Sequence, residues 1–571
     1  LGRMGKGVKQ AAIPPDRHQT RASVLHRSLG RRGLLLSLLL ASAVHLGGAD
    51  KPVAPHETFR IRMRDGVNLA TDVYLPGTNQ PYPVILARTP YNKNFIGGVG
   101  PEATRRGYAF VVQDTRGRYE SEGENLPFDR DRDDGEDTVD WIVKQAWCNG
   151  KIGTWGGSAG AITQMQLASS GTHHLDCMHL TVGAASLYRE LAYDGGVFRK
   201  SLIEDWIRAT KFASNALPTW TSHPAFDAYW KQRDASLRYD QVRAPAVHIG
   251  GYWDIFAQGA IDTYLGYQSH GGPGARGTQK LVMGPWTHGV LSEKAGELKF
   301  PGAKSPPGGI HDPWKWFARW LKGETNGIDA LPPVTYYVVG DVADPKAPGN
   351  TWRTAQAWPP FATPGQPWYL HSDRSFNTTA ARKVADTSLS YDYDPENPAP
   401  TVGGIQLTIP AGPIDQARVE SRHDVLVFTS EPLGAPLEMT GRVRARLWIS
   451  SDSRDTDFFM TLCDVYPGGK SYNLCEGALR ARFRGGLERE ELLQPGRIYP
   501  LDIDLWSTSV IFNTGHRLRV HVTSSSTPGF DPNPNTGAGF RSGRETRVAH
   551  NTVYMDPGHP SHLLLPVVSG R

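Results

Sequence analysis

The sequence predicts a doubly wound α/β domain with a helical insertion, followed by an all-β jelly-roll sandwich. Three observations predict it. The chain of 571 residues is too long for one ordinary core. From about residue 57, short apolar runs alternate with helix-period segments. From Val334 onward the helical signal gives way to short alternating runs divided by turn residues, in a chain rich in Gly (62) and Pro (43). A hydrophobic content of 39% excludes a disordered chain.

Residues 1–49 stand apart as a leader. RSLGRRGLLLSLLLASAVHLGGAD joins a basic segment, an apolar run over Leu34–Leu40 and Ala41-Ser42-Ala43, the layout of a cleaved secretory signal. The run is too short to span a bilayer comfortably, so no stable membrane span is expected after cleavage. Arg31-Arg32 ahead of it points to the twin-arginine route, and export to the periplasm or the medium is expected. The leader also holds the basic charge. Eight Lys/Arg and one Asp precede residue 44, so the whole-chain charge of +5 becomes −2 without them. The apparent basicity is therefore no ground for a nucleic-acid partner.

The α/β domain is expected over residues 50–185 and 243–332. YPVILARTP, GYAFVVQDTRG, GKIGTWGGS, CMHLTVGAAS, APAVHIGGYWD and QKLVMGPWTHG read as buried parallel strands. Helical segments such as AGAITQMQLASS separate several of them, which implies right-handed crossovers. Residues 186–242 are aromatic-rich and helical without a strand signal, a cap above the sheet. Residues 333–571 form the sandwich, opening with VTYYVVG. FDRDRDDGEDTVDW lacks EF-hand spacing and reads as a charged loop capping a helix over Thr138–Lys144.

The chain has four cysteines. Cys148 and Cys177 precede neighbouring strands, and Cys463 and Cys475 flank the turn in CDVYPGGKSYNLC. Two disulfides are the expectation in an oxidising compartment, with four buried thiols as the alternative. No metal site and no cofactor are expected.

Ser158 lies between a strand (Lys151–Trp155) and a helix (Ala161–Ser169), the setting of a nucleophile elbow. Such a turn strains the serine backbone and places glycines two residues before and after it, here Gly156 and Gly160. The Ala159 N–H opens the helix and can face a developing oxyanion. A serine needs a base, and the base an orienting acid, in the chain order Ser, Asp/Glu, His. Asp254 ends one later strand and His288 the next. Asp194 is a rival acid deeper in the insertion. His248 falls inside a strand and reads as a core histidine; His173 and His174 read as surface residues. A second oxyanion donor belongs in ARTPYNKN, where Tyr91 offers a hydroxyl but reads equally as a binding-loop tyrosine.

RTPYNKN, QDTRGRYESEGE, DGEDTVDWIVKQAW, GKIGTWGGSAG, GGYWDIF, GPWTHG, RWLKGETNG and GHRLRVHVTSSSTPGFDPNPNTG resemble, in this order, the cocaine-esterase and X-Pro dipeptidyl-peptidase-like acyl hydrolases (CocE/NonD hydrolases). The resemblance runs from about Phe59 to Val568. It implies an α/β-hydrolase domain with a helical cap and a C-terminal, galactose-binding-like jelly roll bordering the pocket. It implies Ser158 as nucleophile, Asp254 as acid, His288 as base, and Tyr91 beside the Ala159 N–H as oxyanion donors. One branch, the α-amino acid ester hydrolases that handle β-lactams, holds a substrate ammonium with a carboxylate three places after the nucleophile. Here that place is Ala161, so a plain acyl group fits better. Trp206, Trp220, Trp230 and Phe256 are expected either to line an apolar acyl pocket or to pack in the core.

The expected activity is cleavage of a carboxylic ester or activated amide in a small-molecule substrate, through an acyl-enzyme. The alternatives are an X-Pro dipeptidyl-peptidase, an α-amino acid ester hydrolase or β-lactam acylase, and an exported glycan-binding protein on a degenerate hydrolase scaffold. A homo-oligomer is compatible with the sequence.

Overall fold

The computed structural model describes residues 55–361, 365–381 and 387–568. The expected leader, residues 1–49, lies outside them. Among the described residues no helix is long and apolar enough to cross a membrane.

A ten-stranded mixed sheet forms the frame of the first domain. In chain order its strands are β1 (Glu57–Arg62), β2 (Asn68–Tyr74), β3 (Tyr82–Thr89), β4 (Ala109–Asp114), β5 (Cys148–Gly157) and β6 (Cys177–Thr181). A two-stranded hairpin, β7 (Tyr193–Asp194) and β8 (Val197–Phe198), interrupts the series before β9 (Ala246–Gly251) and β10 (Lys280–Gly284). A second small hairpin, β11 (Lys294–Ala295) and β12 (Leu298–Lys299), precedes β13 (Val334–Val338) and β14 (Thr351–Ala355). The spatial order is β1-β2-β4-β3-β5-β6-β9-β10-β13-β14. Strands β4 through β13 run parallel, and the edges are antiparallel. Central strands such as β3 are buried along their whole length, as a parallel sheet covered on both faces requires.

Three sequence expectations change here. Val334–Val338, expected to open the sandwich, pairs in parallel with β10 and extends the α/β sheet. An apolar run buried on both faces looks the same in either architecture, so its pattern could not assign it. The cap is helical over Lys200–Thr210, Ala216–Thr221 and Ala228–Arg233, but it also contains the β7–β8 hairpin. The acidic run is not a loop: a helix spans Asp131–Ile142, and its first-turn acids are neutralised from neighbouring elements. Arg88 pairs with the buried Asp131 at 3.1 Å and Arg116 with Asp134 at 2.6 Å.

The disulfide expectation is also corrected, because all four cysteines are free. Register explains it. Cys177 pairs with Gly153, not with Cys148, which enters β5 five residues earlier. At about 3.3 Å per residue that offset is beyond disulfide reach. In the C-terminal hairpin of strands Asp457–Val465 and Ser471–Arg480, Cys475 faces Leu462 while Cys463 faces Asn473, with a bulge between them. The two thiols therefore leave opposite faces of the sheet.

The C-terminal domain is all β. A seven-stranded antiparallel sheet built around the long strands Leu437–Ser451 and Tyr499–Phe512 packs with a four-stranded sheet. One continuous apolar core runs from Tyr252, Trp253 and Tyr336 of the first domain into Phe428, Leu447 and Val520 of the sandwich. The Trp253 indole donates to the Asn473 carbonyl at 3.0 Å, and Gln258 accepts from Ser507 at 2.8 Å. The sandwich is thus built onto the α/β domain beside the strand ends that carry the candidate site.

Candidate active site

The carboxyl ends of β3, β5, β9 and β10 converge on one point. Strand β5 ends in Gly156-Gly157, and the helix Ala159–Ala168 begins immediately after Ser158. Ser158 has φ 56° and ψ −124°, a backbone conformation costly for any residue with a Cβ. It is held by Ser158 N–H donating to the Thr181 carbonyl of β6 at 3.0 Å, and by its own carbonyl accepting from Ala161 and Ile162. The glycine expectation holds on one side only. A Cβ on Gly156 would stand 3.0 Å from the Gly160 carbonyl oxygen, but one on Gly160 would meet nothing nearer than the Arg88 carbonyl at 3.7 Å.

Asp254 follows β9 and His288 follows β10, and the sheet order sets those two strands side by side. His288 Nε2 lies 2.9 Å from Ser158 Oγ, and His288 Nδ1 lies 2.6 Å from Asp254 Oδ2. The other Asp254 oxygen accepts the Phe256 N–H at 2.8 Å, so the carboxylate is pinned on both sides. Asp254 is fully buried, and Ser158 and His288 are 7% and 4% exposed. This arrangement can pass a proton from hydroxyl to imidazole while the carboxylate fixes the tautomer and stabilises the imidazolium.

Tyr91 stands in the loop after β3, where Tyr91 N–H donates to Thr89 Oγ1. Its hydroxyl lies beside Ser158 and accepts from the Trp206 indole at 3.0 Å. Burial raises the phenol above its usual range, against the hydrogen bonds with Trp206 and Ser158, so it stays a neutral donor. The Ala159 N–H, first of its helix, has no carbonyl one turn back to bond.

The expected pocket aromatics divide. Trp206 reaches Tyr91 and stacks on Phe128 at 5.7 Å, and Phe256 meets the His288 ring edge-on at 5.8 Å. Trp220 and Trp230 are corrected to core. Each is 1% exposed; Trp220 packs on Trp206 at 6.1 Å and Trp230 on Trp220 at 5.5 Å, successive steps away from Tyr91. Ala161 is fully buried in the core behind the helix, against Gly183 and Met165. Asp194 makes no contact with His288; it lies in the β7–β8 hairpin with one carboxyl oxygen unpartnered, and burial pushes it up to about 8. His248 is the core histidine expected, bonded to Gln279 at 3.2 Å.

Two features escaped the sequence reading. A cleft of about 780 Å³ opens at His288 and is lined across from it by Leu407, Ile409 and Ile414 of the C-terminal domain. The signal was GGIQLTIPAGPI, an apolar run with turn residues on both sides that fits no strand. The second is Arg199, buried, whose guanidinium donates to the carbonyls of Glu190, Ile255 and Ile405. One side chain thereby ties the cap, the loop carrying Asp254 and the cleft-lining segment together.

Comparison with known proteins follows the same layout. Residues 65–216 and 208–290 match the X-Pro dipeptidyl-peptidase (S15 family), and residues 326–564 match the X-Pro dipeptidyl-peptidase C-terminal non-catalytic domain. The chain is 33% identical to a cocaine esterase of Rhodococcus sp. (strain MB1 Bresler) over 575 residues, covering 89% of this chain and 97% of the esterase. It is 27% identical to a putative serine esterase of Mycobacterium bovis, covering 89% and 94%. Among solved structures, an α-amino acid ester hydrolase superimposes with a TM-score of 0.76 at 24% identity, covering 92% of this chain and 98% of that one.

Proposed function

The chain belongs to the cocaine-esterase and X-Pro dipeptidyl-peptidase-like family of serine hydrolases, and we propose that it cleaves carboxylic esters of neutral acyl groups through an acyl-enzyme. The observation that carries this reading is His288 bridging Ser158 and Asp254 at 2.9 and 2.6 Å. His288 takes the Ser158 proton as Oγ attacks the ester carbonyl. The oxyanion that forms is stabilised by the Ala159 N–H and the Tyr91 O–H. The tetrahedral adduct collapses as His288 returns the proton to the leaving alcohol, and water then releases the acid by the same steps in reverse. Leu407, Ile409 and Ile414 give the cleft an apolar side, which supports a neutral acyl group, while Lys294 and Glu297 also line it.

The test is a p-nitrophenyl ester of a short neutral acid. Wild type should release a burst of p-nitrophenol and react with a fluorophosphonate probe, and Ser158→Ala should do neither. Equal rates in the two proteins would remove Ser158 from the mechanism. The leader composition further supports export, which is checked by a mature chain in the periplasm or medium that begins near residue 44.

A further inference from the structure

A second cluster of reactive side chains lies in the C-terminal domain. Cys463 is on the strand Asp457–Val465 and His521 on its antiparallel neighbour Arg517–Thr523. The register pairs Cys463 with Arg519 and Thr461 with His521, so Cys463, Arg519 and His521 leave the same face, with thiol and imidazole on a diagonal. The short helix Ala417–Glu420 presents Glu420 to that face. His521 Nε2 stands 3.0 Å from Glu420 Oε1 and 3.9 Å from Cys463 Sγ. One donor atom from each of the three lies within 4.8 Å of the other two.

The environment is built. Cys463 is fully buried and His521 is 2% exposed. Ser471, also fully buried, stands beside Glu420 and Cys463, yet its hydroxyl makes no hydrogen bond of ordinary geometry. Arg519 holds the second Glu420 oxygen, which leaves Oε1 to face the thiol and the imidazole. In a tetrahedral zinc site with bonds of about 2.0–2.3 Å, donor atoms are separated by about 3.3–3.5 Å. The observed 3.0 and 3.9 Å bracket that spacing. Thiolate, imidazole and carboxylate together suit Zn²⁺ better than a hard cation.

We propose that Glu420, Cys463 and His521 form a zinc-binding site, with Ser471 holding a water in the fourth position. Binding replaces the Cys463 S–H bond with an S–Zn bond and releases the proton to solvent. The imidazole proton moves to Nδ1 so that Nε2 can donate its lone pair. The thiolate and carboxylate balance the ion's charge. Sequence spacing gave no hint, because the ligands come from three separate stretches. The site fastens the helix that ends at Glu420, and the chain just before that helix, Leu407 to Ile414, lines the cleft at His288.

The full chain, purified without a metal-binding tag, is incubated with ZnSO₄, freed of loose metal and analysed for zinc. The expected result is one zinc per chain, with a thiolate-to-cobalt charge-transfer band after exchange with Co²⁺. Cys463→Ala and His521→Gln should each fall to no retained zinc and lose the band while ester turnover persists, which shows that they are folded. No retained zinc in wild type that turns over ester would overturn the proposal. So would the same stoichiometry and band in both variants.

Discussion

Trp206 donates its indole N–H to the Tyr91 hydroxyl at 3.0 Å, joining the cap to the loop after β3. A phenol has one proton to give. With an oxygen lone pair taken by Trp206, the Tyr91 O–H is left to turn toward Ser158, which it already lies beside. On the proposed mechanism the cap thus orients the oxyanion donor from behind. Tyr91→Phe should lower kcat about 10²- to 10³-fold, the range for losing one oxyanion donor. Trp206→Phe keeps an aromatic ring there but removes the N–H and frees the phenol to rotate, so it should lower kcat by a smaller factor with KM nearly unchanged. Equal kcat in Trp206→Phe and wild type would break the link between cap and oxyanion site.

The two glycines around Ser158 differ in what they permit. Gly156→Ala drives a methyl against the Gly160 backbone at 3.0 Å, and neither strand nor helix can yield there without moving Ser158. The variant should lose ester turnover and unfold at a lower temperature. Gly160→Ala meets only an ordinary contact inside a helix, where alanine is favoured by about 1 kcal/mol. It should fold as well as wild type or better and keep its activity. Thermal denaturation with turnover measured alongside separates the two; equal damage from both would return the expectation of symmetric glycines.

Much of the site was legible because its signals are local. The strand–Ser158–helix turn, and Asp254 and His288 at successive strand ends, need only short windows and chain order. What was missed depends on register or on the partner across a gap. The thiols of Cys463 and Cys475 are close in sequence but a single bulge sends them to opposite faces. Val334–Val338 carries the same apolar pattern in either domain, and only pairing with β10 assigns it. Trp206 and Trp220 are alike in composition and setting, yet only Trp206 reaches Tyr91. Leu407 lines the cleft because the sandwich docks beside β9 and β10, a fact of tertiary packing.

Ala161 bears on the acyl group. Its methyl is fully buried against Gly183, and no carboxylate at this position awaits a substrate ammonium. Phenylacetyl esters should therefore be hydrolysed with higher kcat/KM than the matching phenylglycyl esters. Ala161→Asp should not simply transplant the α-amino preference. It places a carboxylate in a core of Met165, Leu180 and Ala185 and should cost about 2 kcal/mol or more of stability. A phenylglycyl preference in wild type would overturn the neutral-acyl reading.

Asp194 gives a pH signature separate from catalysis. It is 5% exposed and faces Arg199, Asp504 and Glu476, and burial, outweighing Arg199, pushes it from its ordinary value up to about 8. A carboxyl whose folded pKa is raised binds its proton more tightly in the native state than in the unfolded chain. Its stabilising contribution is therefore full below about pH 4, where both states are protonated, and is lost as pH rises toward 8. Asp194→Asn keeps the shape of the neutral acid and cannot ionise. Whatever its fixed offset from wild type, its relative Tm should climb between pH 4 and 8, and its ester turnover should persist, since His288 is bonded to Asp254 instead. Melting curves across that range, with kcat measured at each pH, decide the matter. A constant Tm difference would mean that Asp194 does not titrate there, and a collapse of kcat like that expected for Asp254→Asn would restore it as the catalytic acid.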